Sequence, residues 1–204
     1  KNTISSLKLE DILRIPSEEK INRNFIKKFD LKLSNYPIDT SLAFLKIVNK
    51  LNLNLEEAYK FLKIKLYTEH RFENFENING TNFINDSKST NFHSVSSASQ
   101  RVKNALLIMH GITKKIPTSD LILSDEIKKV IIPKDMNLNK DLFNCEVEEI
   151  ETIFDLEDIL QKEFERFDNI LFSCGGSSFN DFKNYIARGD FFKSIVKNIK
   201  RGLN

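Results

Sequence analysis

The chain has 204 residues, enough to bury a sizeable core and to form one large domain or a domain with an attached remnant. Its 31 basic and 29 acidic residues leave a formal charge of +2, with lysines scattered among acids, so neither nucleic-acid binding nor attraction to a membrane has an electrostatic basis. Two cysteines (Cys145 and Cys174) cannot form a disulfide framework or a four-ligand zinc site, and three histidines show no ligand spacing.

No apolar run approaches the length of a membrane span and no signal-peptide core is present, so a cytoplasmic location without membrane insertion is expected. Both methionines, Met109 and Met136, are internal and the chain opens on Lys1. It is therefore expected to be a fragment, a processed product or a chain lacking its beginning.

In chain order, residues 25–33 alternate as a strand does. Leu42, Leu45, Val48 and Leu51 mark one face of a helix. Asn54, with Glu57 three positions on, caps a second helix carrying Ala58, Phe61 and Leu62, and this helical pair ends near Tyr67. Asn79-Gly80 between residues 72–78 and 81–84 is a hairpin signal, because both turn positions need positive φ. Beyond it, apolar runs at 105–109, 130–132 and 170–172 alternate with amphipathic stretches at 94–103, 155–167 and 178–188. The pattern predicts an α/β fold: a mostly parallel sheet with helices on both faces, its strands apolar because both faces are covered. A boundary near residues 68–72 divides the chain into segments 1–70 and 71–204.

Three segments carry candidate chemistry. Asn85-Asp86-Ser87-Lys88-Ser89-Thr90-Asn91 follows an apolar strand end, where open α/β sheets bind ligands. Lys88 and Thr90 could clamp a carboxylate or phosphate; the same segment reads equally as a polar loop capping the next helix. Ser173-Cys174-Gly175-Gly176-Ser177-Ser178 leads from a strand into a predicted helix, offering backbone N–H groups and a hydroxyl to an anion, or an ordinary serine cap. Gly175 and Gly176 are expected to keep that backbone accessible. Cys174 has no His or Asp partner in sequence to make it a nucleophile. His110-Gly111-Ile112-Thr113-Lys114-Lys115 is a third loop after a strand, in which Lys114 is either a ligand contact or a surface lysine.

The first of these segments, read with Phe182-Lys183-Asn184-Tyr185-Ile186-Ala187-Arg188-Gly189, resembles the C-terminal part of the Mur ligases. The D-glutamate-adding members carry N-D-S-K-[AS]-T-N and F-K-N-[FY]-x-x-R-G-x-x-F segments in that order. His70-Arg71-Phe72-Glu73 is similar to the family's P-H-R-[FM]-E stretch, with Glu69 in the proline's place.

The resemblance implies a Rossmann-like C-terminal domain over residues 71–204, preceded by a remnant of the central ATP-binding domain over 1–70. It implies an ATP-dependent ligase that adds D-glutamate to UDP-N-acetylmuramoyl-L-alanine through an acyl phosphate, using magnesium, for peptidoglycan precursors, and acting as a monomer. By the same resemblance Lys88 and Lys114 fall at the catalytic positions. Thr90, Ser178, Phe179 and Tyr185 fall at the amino-acid pocket, and Arg71 and Asp86 face the nucleotide. No metal ligand is assigned.

The chain departs from the family at two places. The loop after residues 105–109 keeps one glycine and lacks an aspartate, and the adenine-holding segment near Tyr36-Pro37-Ile38-Asp39-Thr40 lacks its polar residues in register. No G-x-x-x-x-G-K-[ST] loop occurs, so ATP and magnesium are expected to be held mainly by parts of the enzyme outside this sequence, and the chain alone is expected to be inactive. The alternative is a non-catalytic Rossmann-like binding or interaction module on the same scaffold.

Overall fold

The computed structural model describes residue 29 and residues 38–64, 68–113 and 117–203. The chain divides into two compact units, Lys1–Leu66 and Tyr67–Asn204.

In the first unit, α1 (Ile38–Lys50) and α2 (Leu55–Leu62) bury Leu42, Leu45 and Val48 against Ala58 and Leu62. Phe29 joins this core, its ring 4.8 Å from Tyr59. Asn54 caps α2 as its spacing predicts, its side chain accepting from the Glu56 and Glu57 N–H groups. Phe61 departs from expectation. It stands one position short of Leu62 on the helix, at the edge of the buried stripe, and is 42% exposed with its ring beside Phe44. The second helix stops at Leu62 rather than near Tyr67, and the predicted strand at 25–33 lies, apart from Phe29, outside the described residues.

The second unit is a six-stranded sheet. The hairpin β1 (Glu73–Ile78) and β2 (Thr81–Asp86) turns on Asn79 (φ 50°) and Gly80 (φ 93°), both left-handed as the Asn-Gly signal requires. After β2 come α3 (Phe92–Ser99), β3 (Ala105–His110), β4 (Ile127–Pro133), β5 (Glu146–Ile150), α4 (Leu156–Glu163), β6 (Asn169–Gly175) and α5 (Tyr185–Gly202). The strand order is β1-β2-β6-β3-β4-β5, and every neighbouring pair except the hairpin is parallel. The result is the expected α/β, Rossmann-like sheet.

Successive residues along each central strand face opposite sides, and both sides are apolar. Phe83, Leu106, Ile108 and Ile170 join the cluster containing Leu156, Leu160, Phe192 and Val196 of α4 and α5. Ile84, Leu107, Met109 and Leu171 join the one containing Phe92, Val95 and Ala98 of α3.

Two expectations change. The helix predicted over 178–188 begins only at Tyr185, because the true cap is Asn184, whose Oδ1 accepts from Ala187 N–H at 2.9 Å. Ser177 is held instead in a two-bond bridge with Ile112, each N–H 2.9 Å from the other's carbonyl, which draws the chain away from a helical path. Ser178 therefore lies in a turn, its carbonyl accepting from Phe182 N–H. Strand β5 is an additional element.

Candidate functional site

Five parallel strands end at one edge of the sheet, and because β6 inserts between β2 and β3, the loops after these three strands meet there. In an open α/β sheet this is where a ligand crevice forms. The register pairs Asp86 with Ser173 and His110 with Gly175, so the three strand ends lie at the same level.

Asp86, the last residue of β2, is 9% exposed. Its Oδ1 accepts from Phe72 N–H at 3.0 Å and its Oδ2 from the Ser173 hydroxyl at 2.8 Å. Burial pushes its carboxyl up to about 6, and these two donors hold it from rising further. Near neutral pH it is mostly a carboxylate. The loop beyond does not use Asp86, Lys88 or Thr90 to cap α3: Asn91 performs that role, accepting from Ser94 N–H at 2.9 Å.

Lys88 is half-buried, its backbone N–H donating to the His70 carbonyl and its ammonium 3.8 Å from the centre of the Tyr185 ring. Thus the 70–72 segment, the β2 loop and the first turn of α5 come together. A cavity of about 280 Å³ opens beside them, lined by Arg71, Phe72, Asp86, Lys88, Ser89 and Arg101 among others.

The remaining candidates are placed differently. Thr90 is exposed on the same loop and Phe179 is 70% exposed, while Ser178 is buried in its turn; none of the three lines this cavity. Lys114 lies outside the described residues. Gly175 and Gly176 are buried rather than accessible. A Cβ on Gly176 would stand 2.5 Å from the Gly111 carbonyl carbon, so this glycine serves close backbone approach, whereas one on Gly175 would stand 2.9 Å from the Met109 methyl at a left-handed φ of 75°. Cys174 is fully buried and its thiol is pushed up to about 12 by that burial, which leaves no thiolate for catalysis.

The structure adds residues to which sequence reasoning gave no role. Arg188 is fully buried, donating to the carbonyls of His110, Gly176 and Ser87, one at each of the three strand ends. Its signal was the arginine of the Phe182–Gly189 segment. His110 is also buried, its Nε2 2.8 Å from Asp181 and its Nδ1 3.3 Å from Arg188. A guanidinium only donates, so Nδ1 is the bare nitrogen and Nε2–H donates to Asp181. Burial holds His110 below its ordinary range, and Arg188 adds to that against the pull of Asp181. Arg101 stands over Phe72, a contact no local pattern announces. Among the described residues no three His, Cys, Asp or Glu side chains gather as a metal site, and no helix is long and apolar enough to cross a membrane.

Fold and cavity together define a Rossmann-like domain with a cationic crevice at the carboxyl edge of its sheet. No protein-family model matches the chain. It is 30% identical over 207 residues to the UDP-N-acetylmuramoylalanine–D-glutamate ligase of Thermosipho melanesiensis, taking in 92% of this chain and 48% of that protein. The identically named proteins of Fusobacterium nucleatum and Thermotoga maritima are 31% and 32% identical, covering 85% and 84% of this chain and 43% and 41% of their own lengths. Over most of its length the chain is related in sequence to the C-terminal part of these Mur ligases. It spans about half their length or less.

Proposed function

We propose that this chain is the amino-acid-binding C-terminal part of an ATP-dependent ligase that joins D-glutamate to UDP-N-acetylmuramoyl-L-alanine. The observation that carries the reading is the meeting of Arg71, Asp86 and Lys88 around one crevice, in a chain whose relatives are named for that reaction. Residues 1–70 would then be the tail of the ATP-binding domain and 71–204 the amino-acid domain.

In this reading the acceptor carboxylate is activated by ATP as an acyl phosphate, and the D-glutamate amine attacks it with release of phosphate. The chain supplies no nucleophile of its own. Arg71 and Lys88 stabilise charge on the transferring phosphoryl group, and the Asp86 carboxylate accepts from hydroxyls of the nucleotide. Ser178, Thr90, Phe179, Tyr185 and Lys114 are assigned to D-glutamate. Magnesium bound with ATP would help neutralise the phosphate charge; among the described residues no three His, Cys, Asp or Glu side chains gather, and none is given a metal contact.

The test is D-glutamate-dependent release of phosphate from ATP, with UDP-N-acetylmuramoyl-L-alanine present, by the polypeptide that joins this chain to a P-loop-bearing portion. Lys88→Ala is expected to lower turnover on the order of a hundredfold or more. Product formed at the same rate by Lys88→Ala removes Lys88 from the phosphoryl site, and phosphate release that does not depend on D-glutamate overturns the reading in favour of a non-catalytic module.

A further inference from the structure

Arg101 follows α3 and reaches back over Phe72, with its guanidinium carbon 3.6 Å from the ring centre. Phe72 is itself fixed, at a left-handed φ of 44° and with its N–H bonded to Asp86. The guanidinium thus has one face covered by an aromatic ring on a pinned backbone. Among the described residues its N–H donors meet no hydrogen-bond or ion-pair partner; Asp86 acts on it only through the field. A guanidinium held this way presents its edge, a planar fork of donors matched to two oxygens of one anion.

The surroundings define that anion. Arg71 and Lys88 border the same cavity, so three cations stand against the one carboxyl of Asp86. A monocarboxylate would leave most of that charge uncompensated, whereas a phosphate brings up to two charges and several terminal oxygens. Ser89 also lines the cavity, and its Oγ is buried with no protein partner, an unusual state for a hydroxyl and one that a ligand oxygen relieves.

We propose that Arg101 is a phosphate-contacting residue of this cavity, holding an oxyanion of a nucleoside polyphosphate with the edge of its guanidinium while Ser89 Oγ donates beside it. The inference rests on the nucleotide reading of the Asp86 crevice and adds to it Arg101, which lies outside the segments that carry the family resemblance, and Ser89, to which that resemblance gave no role. Phe72 is then the platform that aims the fork.

The test is titration of the 204-residue chain with ATP, inorganic tripolyphosphate and adenosine, followed through the Arg101 Nε–H resonance and the dissociation constant. ATP and tripolyphosphate are expected to shift that resonance saturably, and adenosine is not. Arg101→Ala is expected to weaken both phosphate ligands roughly tenfold or more, and Arg101→Lys to recover only part of the loss because an ammonium lacks the fork. Unchanged affinity in Arg101→Ala with a lowered melting temperature would make Arg101 merely a cover for Phe72. Unchanged affinity in Arg101→Ala beside a clear loss in Lys88→Ala sinks the Arg101 proposal and leaves the nucleotide crevice standing. No saturable binding of either phosphate ligand, or binding indifferent to Arg71, Lys88 and Arg101 substitution alike, removes the nucleotide crevice as well.

Discussion

At Asp86 two influences oppose each other: burial at the sheet edge favours the neutral carboxyl, whereas the Ser173 hydroxyl and the Phe72 N–H favour the carboxylate. Burial prevails and the group titrates at about 6 in the folded chain. The consequence for stability has a definite sign. Below the ordinary carboxylate value of about 4 both states are protonated. As pH rises toward 6 the unfolded chain ionises first, so the folded state loses stability through this window, on the order of 2–3 kcal/mol in all, and no more above it. Asn at this position keeps an acceptor for Phe72 and cannot ionise. Urea unfolding of wild type and Asp86→Asn from about pH 4 to about pH 7 is therefore expected to show wild type losing stability relative to the variant as pH rises. His110 contributes the opposite slope, losing stability as pH falls below its ordinary range, but does so in both proteins and cancels in the difference. A pH-independent difference would show that Asp86 is not held near 6.

At the scale of elements, Lys129 joins three of them. It sits on β4 with 4% exposure, its ammonium 3.2 Å from Glu146 and 2.7 Å from Glu148 on β5, and 2.8 Å from Glu163 on α4. Burial alone would lower its pKa, but the three glutamates together raise it above the ordinary lysine value. Lys129→Met retains volume yet leaves three carboxylates facing one another. Chemical denaturation is expected to show a loss of about 3–5 kcal/mol, and a loss under about 1 kcal/mol would mean that these carboxylates relax into solvent.

The same residues explain why β5 was hidden in the sequence. Glu146, Glu148 and Glu149 make the strand look like a solvated acidic segment, because its partner cation is found only once β4 and β5 pair. By contrast, β3, β4 and β6 were legible as apolar runs, and Asn79-Gly80 marked the hairpin of β1 and β2 through its need for positive φ. The start of α5 was misplaced because Ser177 and Ser178 after two glycines imitate a cap, whereas Ser177 is committed to Ile112 across the sheet edge. For the crevice, a strand end followed by a polar loop located Asp86 and Lys88. The stacking of Arg101 on Phe72 depends on tertiary approach and left no local mark, and the Phe182–Gly189 segment marks Arg188 without revealing the three carbonyls it holds.

At the scale of the whole molecule, the account turns on what the carboxyl edge of the sheet recognises. The chain covers 48% of its Thermosipho relative and contains no P-loop, so in this reading it contributes amino-acid and nucleotide contacts to a longer ligase. The structure gathers the nucleotide candidates Arg71 and Asp86 with Lys88 at one cavity, while Ser178 lies apart from that cavity, in the turn tied to β3 through Ile112 and Asp181. If D-glutamate is held at that turn and the nucleotide at the cavity, as proposed, their kinetics should be separable. The most direct measurement is the Michaelis constant for D-glutamate and for ATP in the complete ligase carrying Ser178→Ala. The account predicts a rise for D-glutamate on the order of ten- to a hundredfold, the loss of a hydrogen bond to a charged group, with the ATP value unchanged. An unchanged constant for D-glutamate, or an equal rise for both substrates, would contradict it.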